Sequence, residues 1–238
     1  MSKEKSGPES LRPLSIKPGK FINPEGSCLI SMGQTQVLCN ATVEDRVPPF
    51  LLNTGKGWVT AEYGMLPRST TTRMQRERAG GRPNSRSLEI SRLIGRSMRA
   101  AVDVDRLGPR TVILDCDVLQ ADGGTRCCAV NGAVVALHLA LEGLVKQGIL
   151  EASPMHTMVA AVSVGIVSGK PALDLDYARD SEADVDLNVV MTAGGEFIEL
   201  QGTGEKSAFS RGELDTMLEL AWSGIEEILC VQRKALGL

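Results

Sequence analysis

The residues of this chain best suited to chemistry are Gly123, Gly124, Thr125 and Arg126, which open a long apolar stretch. Two glycines let a ligand approach the backbone closely and permit positive φ angles. The unpaired N–H groups in the first turn of a helix favour an anion. Thr125 adds a hydroxyl donor, and the guanidinium of Arg126 matches phosphate oxygens. This segment, which we call the anion cradle, predicts a phosphate site; the alternative is a glycine-rich turn beside an ordinary surface arginine.

Arginines are concentrated upstream of the anion cradle. The segment from residue 68 to residue 99 contains nine arginines, two glutamates and no lysine, although the whole chain has a net charge of −3. Such asymmetry indicates a localised site for a polyanion rather than a uniformly basic surface. Its arginines are Arg68, Arg73, Arg76, Arg78, Arg82, Arg86, Arg92, Arg96 and Arg99.

Composition excludes several classes of protein. The six cysteines form no CxxC pair and there are only two histidines, so we expect no zinc site. The polar N-terminus lacks the apolar core of a signal peptide, and no apolar run is expected to span a membrane. We therefore expect a cytoplasmic protein with no membrane partner. Aromatic residues make up only 3% of the chain, which argues against an extended aromatic stacking platform.

Hydrophobic periodicity predicts one α+β domain, residues 1–238, with a loose N-terminal arm over residues 1–15. A hairpin around Gly33 is predicted over residues 28–44, and a long polar loop over 67–86. Further strands are predicted at 58–65, 111–119, 158–167, 172–177, 185–192 and 196–203. Helices are predicted at 85–102, 125–147 and 213–236, the first of them capped by Ser85 or Ser87.

Several longer segments are more specific than these patterns. They are LRPL (11–14), RSTTTRMQR (68–76), GRP (81–83), SLEISRLIGRSMR (87–99), DCDVLQADGGTR (115–126), DLDYARDSEADVDLNVVM (174–191), QGT (201–203) and Glu205. In these segments, which occur in the expected order, the chain resembles the ribonuclease PH family over nearly its whole length. Two departures stand out, namely an atypical N-terminal opening and Arg179 in place of an expected Glu. We expect the positive charge of Arg179 to lower the pKa of Asp180.

The resemblance implies a fold and a reaction. The fold is the ribonuclease PH fold, a ribosomal-protein-S5-like α+β arrangement of mixed sheets with packed helices, assembled as a homohexamer (a trimer of dimers). In the reaction, inorganic phosphate as co-substrate attacks the last phosphodiester of an RNA 3′ end and releases a nucleoside diphosphate. The substrates implied are transfer-RNA precursors, trimmed of nucleotides that follow the CCA end, and the reaction also runs in reverse.

The resemblance assigns phosphate binding to Arg86 and to Gly124, Thr125 and Arg126. Electrostatics agrees, because two anionic groups brought together need more than one guanidinium. For Arg86 the alternative is a helix-entry arginine in a surface salt bridge. A hydrolytic nuclease ranks lower because it needs a metal cluster to activate water and has no use for a phosphate cradle. A small-molecule kinase ranks lower because it needs a genuine nucleotide-binding loop, which the sequence lacks. A non-catalytic RNA-binding ring subunit is the main rival.

Asp180 and Asp186 are the candidate catalytic residues. A partly buried carboxylate near phosphates is pushed towards protonation and can act as a general acid. Alternatively, both aspartates hold a Mg²⁺ ion that stabilises the leaving oxygen. The residue pattern leaves these alternatives open, together with that of solvated acidic turn residues. Asp115 and Asp117 are weaker candidates with a supporting role.

Two sets of arginines are predicted to bind RNA phosphates without reading sequence. One set lies in the loop and the other on one face of the following helix. For the helix set, ion pairing with Glu89 and subunit contacts are the alternatives. The loop set is Arg68, Arg73 and Arg76, and the helix set is Arg92, Arg96 and Arg99.

Overall fold

The computed structural model describes residues 7–19, 21–76 and 84–238. Part of the predicted arm (1–6), Arg78, Arg82 and the GRP motif at 81–83 lie outside the described residues.

A five-stranded sheet forms the first half of the fold. Its spatial order is β1-β2-β3-β5-β4, with antiparallel neighbours except for the parallel pair β4 and β5. The predicted hairpin around Gly33 is confirmed as β2 and β3. The strands are β1 (Leu14–Pro18), β2 (Gly26–Met32), β3 (Thr35–Glu44), β4 (Trp58–Met65) and β5 (Thr111–Gln120).

Helix α1 (Ser85–Arg99) and the short helix α2 (Val104–Leu107) connect the parallel strands β4 and β5. Apolar residues at helical spacing form one face of α1, as predicted, and α1 packs against β4. The cap differs from the prediction, because Asn84 rather than a serine accepts a hydrogen bond from the backbone N–H of Arg86. The cap places Arg86 in the first turn of the helix.

A four-stranded antiparallel sheet forms the second half, in the order β7-β6-β8-β9. One predicted strand, 172–177, is wrong beyond Leu173, because Asp174 has a φ of 53° and Asp176 caps helix α4 (Tyr177–Glu182). The remaining strand predictions hold to within two residues. The strands are β6 (Val159–Val167), β7 (Lys170–Leu173), β8 (Val185–Thr192) and β9 (Phe197–Gly204).

Helix α3 (Thr125–Lys146) lies between the two sheets and contacts β2, β3, β5 and β6. It is apolar nearly all round, as predicted, because both sheets bury it. By length and composition alone it is apolar enough to cross a membrane, so the expectation that no stretch reaches that length is corrected. Most of it is buried within the described fold, as in the core helix of a globular domain. Helix α5 (Arg211–Leu236) covers β6, β7 and β1.

The segment predicted as a loose arm is held in the fold over its last residues. Strand β1 begins at Leu14 and pairs with β2. Just before it, the Arg12 guanidinium forms an ion pair with Asp174, whose side chain is 1% exposed. The carbonyl oxygen of Pro8 also accepts a hydrogen bond from the end of β7, so the expectation of a loose arm is corrected for residues 8–15. A five-residue strand between two prolines carries too little periodicity to be recognised from sequence.

Candidate active site

The two glycines of the anion cradle adopt left-handed backbone conformations. Gly123 has a φ of 73° and Gly124 a φ of 63°. A Cβ atom on Gly123 would lie 2.6 Å from the carbonyl oxygen of Leu175, so no side chain fits there. Gly124 is the N-cap of α3 and has no side chain to cap the helix, which leaves the first-turn N–H groups available to an anion.

Two residues that sequence reasoning did not assign to the site hold the cradle in place. The buried Thr35 hydroxyl donates a hydrogen bond to the Gly123 carbonyl oxygen (2.7 Å) and accepts one from the Asp122 N–H (2.9 Å). Arg12 donates from Nη1 to the Asp122 carbonyl oxygen, and from Nη2 to Asp174 Oδ1 at 2.6 Å. Arg12 belongs to the LRPL motif, which was the only available signal for its importance.

Tyr63 orients the hydroxyl of the cradle threonine. Its phenol donates to Thr125 Oγ1 at 2.8 Å. Burial raises the pKa of Tyr63 to about 12, although the Thr125 hydrogen bond and the charges of Arg86 and Arg126 act in the opposite direction. The phenol therefore stays protonated at neutral pH, and the hydroxyl hydrogen of Thr125 remains free to point at a ligand.

One cavity of about 560 Å³ brings together the predicted phosphate-binding and catalytic residues. Positive groups from α1 and α3 form one wall, and carboxylates from α4 and β8 form another. The predicted residues that line it are Arg86, Gly124, Thr125, Arg126, Asp180 and Asp186. Sequence reasoning missed Ser163 and Asn188, which also line the cavity, whereas Gln201 and Thr203 belong to the QGT motif.

Arg126 is held by a closed network that joins α1, α3 and β9. Its Nη1 donates to Glu89 Oε1 at 3.1 Å and also to Gln201 Oε1. Gln201 Nε2 in turn donates to the same Glu89 oxygen at 2.9 Å. Both bonds of the guanidinium use Nη1, so the network fixes its orientation. Glu89 therefore contacts Arg126 rather than Arg92.

The two aspartates lie in surroundings that disfavour their ionised forms. Loss of hydration raises the pKa of Asp180, although Arg86 and Arg126 oppose the shift. The pKa of Asp186 is raised by loss of hydration and then by the charges of Asp180 and Glu205. Asp186 Oδ1 is buried with no hydrogen-bond partner among the described residues. A proton or a cation bound between these two carboxylates would therefore stabilise them.

Comparison with known proteins places this chain in a family. A family model described as the 3′ exoribonuclease family, domain 1, matches residues 10–141, and the model for domain 2 matches residues 157–224. The chain belongs to the 3′ exoribonuclease family. Proteins named ribonuclease PH from Syntrophomonas wolfei and Solibacter usitatus are 55% and 56% identical to it. These alignments cover 97% and 94% of this chain, and the same shares of the relatives.

Solved structures confirm the predicted fold. Rice (Oryza sativa) Rrp46 has a TM-score of 0.78 at 18% identity, with 98% of both chains covered. The Archaeoglobus fulgidus exosome with RNA bound to the active site has a TM-score of 0.78 at 21% identity, with 94% of this chain and 89% of that chain covered. At such identities the likeness establishes the α+β ribonuclease PH fold. The close relatives confirm the prediction of a phosphate-dependent exoribonuclease.

Arg179, the departure from the family pattern, does not act on Asp180 as expected. Its guanidinium points back towards the start of α4, where it contacts Asp176 and donates to the Asp174 carbonyl oxygen at 2.9 Å. The pKa of Asp180 is raised rather than lowered, so that prediction is wrong. The pKa of Asp176 is the one that falls, because hydrogen bonds and charge from Arg179 outweigh the opposing effect of burial.

The loop arginines of this family member are solvent-exposed. Arg68, Arg73 and Arg76 lie on the segment that follows β4. Arg76 also lines a separate cleft of about 300 Å³ with Asp115 and Asp117. These two aspartates therefore lie outside the main cavity, and RNA binding by the loop stays a prediction.

The arginines of α1 divide into two kinds. Arg92 and Arg96 are both exposed, but Arg96 forms an ion pair with Glu199 on β9 at 2.6 Å. Arg99 lies 4.3 Å from the ring centre of Trp58 and donates to the Val59 carbonyl oxygen. The contacts of Arg96 and Arg99 match the alternative of internal pairing, and an RNA role for this set stays a prediction.

Proposed function

We propose that this chain is a phosphorolytic 3′-to-5′ exoribonuclease that removes the nucleotides following the CCA end of transfer-RNA precursors. It uses inorganic phosphate, releases nucleoside diphosphates, and in reverse adds nucleotides from them. The observation that supports this most is the single cavity that holds Arg86, the anion cradle and both aspartates. An anion site opposite carboxylates suits a reaction in which one phosphate attacks another.

Arg86 and the cradle hold the attacking phosphate. Arg86 and Arg126 approach it from α1 and α3, and the N–H groups and the Thr125 hydroxyl donate to its oxygens. Two guanidiniums offset the repulsion between the attacking phosphate and the scissile phosphodiester. Most of the catalysis is therefore positioning and electrostatic stabilisation.

Asp180 and Asp186 serve the leaving 3′-oxygen. The unpaired Asp186 oxygen and the charge crowding with Glu205 fit a hard cation, and Mg²⁺ commonly uses one or two carboxylates plus substrate phosphates. The described residues contain no group of three or more His, Cys, Asp or Glu arranged for a metal, so two carboxylates would share the ion with substrate. Bound Mg²⁺ would supply positive charge at the leaving oxygen. Without it, the raised pKa of Asp180 suits proton donation.

The exposed loop arginines Arg68, Arg73 and Arg76 attract the RNA backbone towards this cavity. We further propose a cytoplasmic homohexamer, in which six chains surround a shared path for RNA. Light scattering after size exclusion should give six times the chain mass of 25.4 kDa. A monomer or dimer that retains full activity would contradict the ring.

Product analysis tests the proposal directly. A transfer RNA with extra 3′ nucleotides is incubated with Mg²⁺, with and without inorganic phosphate. We expect nucleoside diphosphates only with phosphate, and a loss of about 100-fold or more in Arg126→Ala because two charge-assisted donors disappear. Arg46→Ala, which removes an exposed ion pair with Glu44, is the matched control.

Three outcomes would contradict parts of this proposal. Nucleoside monophosphates released without phosphate would mean hydrolysis and would remove the role of the cradle. RNA binding without release under either condition would indicate a non-catalytic ring subunit. Full activity after chelation of divalent metals would leave Asp180 as a general acid rather than a Mg²⁺ ligand.

A further inference from the structure

A second cavity of about 550 Å³ lies on the other side of the anion cradle. It shares Arg86, Gly124, Thr125 and Asp180 with the main cavity, so the two spaces meet at the cradle. Its remaining walls are largely apolar, unlike the charged main cavity. These walls include Tyr63, Met65, Met74, Ala121 and Tyr177. We call this space the aromatic cleft.

Tyr177 is the most exposed aromatic ring at the site. It is the first residue of α4, and its side chain is 69% exposed. Asp180 follows three residues later, so the two side chains lie on the same face of the helix. The Asp176 cap and the contacts of Arg179 hold this turn of the chain in place. An apolar ring is thereby presented to solvent directly beside a catalytic carboxylate.

The chemistry of phosphorolysis requires space for a nucleoside beside the cradle. The 3′-terminal nucleoside is attached through its 5′-oxygen to the phosphorus that is attacked, and it leaves as part of the nucleoside diphosphate. The main cavity is lined by charges that suit two phosphates and a leaving oxygen, whereas a base needs an apolar, flat surface. The aromatic cleft is the neighbouring space with such walls.

We propose that the aromatic cleft binds the base and ribose of the 3′-terminal nucleotide, and that the ring of Tyr177 stacks on the base. This inference rests on the proposed function. The flexible side chains of Met65 and Met74 adapt to purines and pyrimidines alike. Stacking recognises the face common to every base, so the cleft contributes affinity with little base preference.

The sharpest test varies the protein and the RNA together. Phosphorolysis is measured on an RNA with a normal 3′-terminal nucleotide and on the same RNA ending in an abasic ribonucleotide. Tyr177→Ala should raise the KM for the normal RNA roughly tenfold, because one stacking contact is lost. It should have no effect on the abasic RNA. Tyr177→Phe keeps the ring and should retain the wild-type KM, and the KM for phosphate should be unchanged in both variants.

Phe197→Ala is the matched control, since Phe197 is a half-exposed aromatic residue on β9 that lines neither cavity. Equal losses on normal and abasic RNA would overturn the proposal, because Tyr177 would then act only by supporting α4. Unchanged kinetics in Tyr177→Ala would overturn it as well.

A binding measurement separates this proposal from the proposed function. Calorimetry compares adenosine diphosphate with inorganic phosphate, and neither titration requires turnover. Tyr177→Ala should weaken binding of the diphosphate roughly tenfold and leave binding of phosphate unchanged. If the wild-type protein releases no diphosphates from RNA, the proposed function fails. The difference in diphosphate binding between the wild-type protein and Tyr177→Ala still tests whether the aromatic cleft binds a nucleoside. Equal binding of the diphosphate by both proteins would overturn the proposal.

Discussion

At the scale of single residues, the candidate site depends on side chains that orient the groups we propose to contact substrate. Tyr63 orients Thr125, Thr35 holds the Gly123 carbonyl, and Glu89 with Gln201 holds Arg126. A guanidinium is useful only when its donors meet the phosphate oxygens, and a long arginine side chain has many rotamers. The network therefore selects one orientation of Arg126 before phosphate arrives.

Glu89 provides the test of this positioning role. Glu89→Ala should raise the KM for phosphate about tenfold, because Arg126 loses one of its two anchoring contacts, and should leave the KM for RNA unchanged. Glu89→Gln keeps an acceptor oxygen at the same place and should restore most of the affinity. Steady-state kinetics with each substrate varied in turn measures both constants.

Glu199→Ala is the control for Glu89, since it breaks another ion pair between α1 and β9 without touching Arg126. A similar increase in the phosphate KM in Glu199→Ala would show that the α1–β9 junction, rather than Glu89 itself, is responsible.

At the scale of elements, the candidate active site lies at the start of helices. Arg86 lies in the first turn of α1, the cradle begins α3, and Asp180 lies in the first turn of α4. Helix N-termini favour anions through their free N–H groups and dipoles. The cradle is also pressed against the segment between β7 and α4, where Gly123 faces the backbone of Leu175 and Asp176.

Gly123 and Gly148 form a matched pair for testing that contact. Both have positive φ angles, 73° and 72°, but a Cβ atom on Gly148 would meet nothing within 4 Å. Gly148→Ala should therefore cost only the left-handed strain, about 1 kcal/mol of the free energy of unfolding. Gly123→Ala adds a backbone clash and should cost at least about 2 kcal/mol more.

Urea unfolding measures both costs. The increase in melting temperature caused by inorganic phosphate, compared among the same proteins, should disappear only in Gly123→Ala. Equal destabilisation by the two substitutions would mean that the cradle moves freely relative to α4.

At the scale of the whole molecule, α3 serves as the core of both sheets. One continuous apolar cluster runs from β2 and β3 through α3 to β6, β8 and α5. The family models divide the chain into two parts, at residues 10–141 and 157–224. We propose that these parts nevertheless unfold together, because neither sheet keeps its buried face without α3.

The two tryptophans test this cooperation, since Trp58 lies on β4 and Trp222 on α5. Trp58→Phe and Trp222→Phe each leave a single tryptophan, whose fluorescence reports on one part of the chain. In each variant the unfolding midpoint from fluorescence should coincide with the midpoint from circular dichroism of the same protein. Two separated transitions at a fixed protein concentration would mean two independent folding units.

The sequence by itself predicted most elements and named candidate site residues, which the structure brings together in one cavity. Periodicity located β4, β8 and α3 to within one residue, since these segments are long and their burial is regular. The glycine pair before Thr125 indicated an anion site because glycine allows positive φ angles and close approach of a ligand, and the family motifs pointed to Arg86, Asp180 and Asp186. Local chemistry dictates the regular elements and the glycine turn, whereas the three site residues rest on the resemblance to the family.

Only the tertiary structure decided which distant side chains meet. Arg12 contacts Asp174, which lies 162 positions further along the chain. Glu89 on α1 contacts Arg126 on α3 and Gln201 on β9. Arg179 contacts Asp176 rather than its neighbour Asp180, and the order of charges along the sequence does not predict this choice. Such contacts depend on how sheets and helices pack, because side-chain directions are set in space and not by separation along the chain.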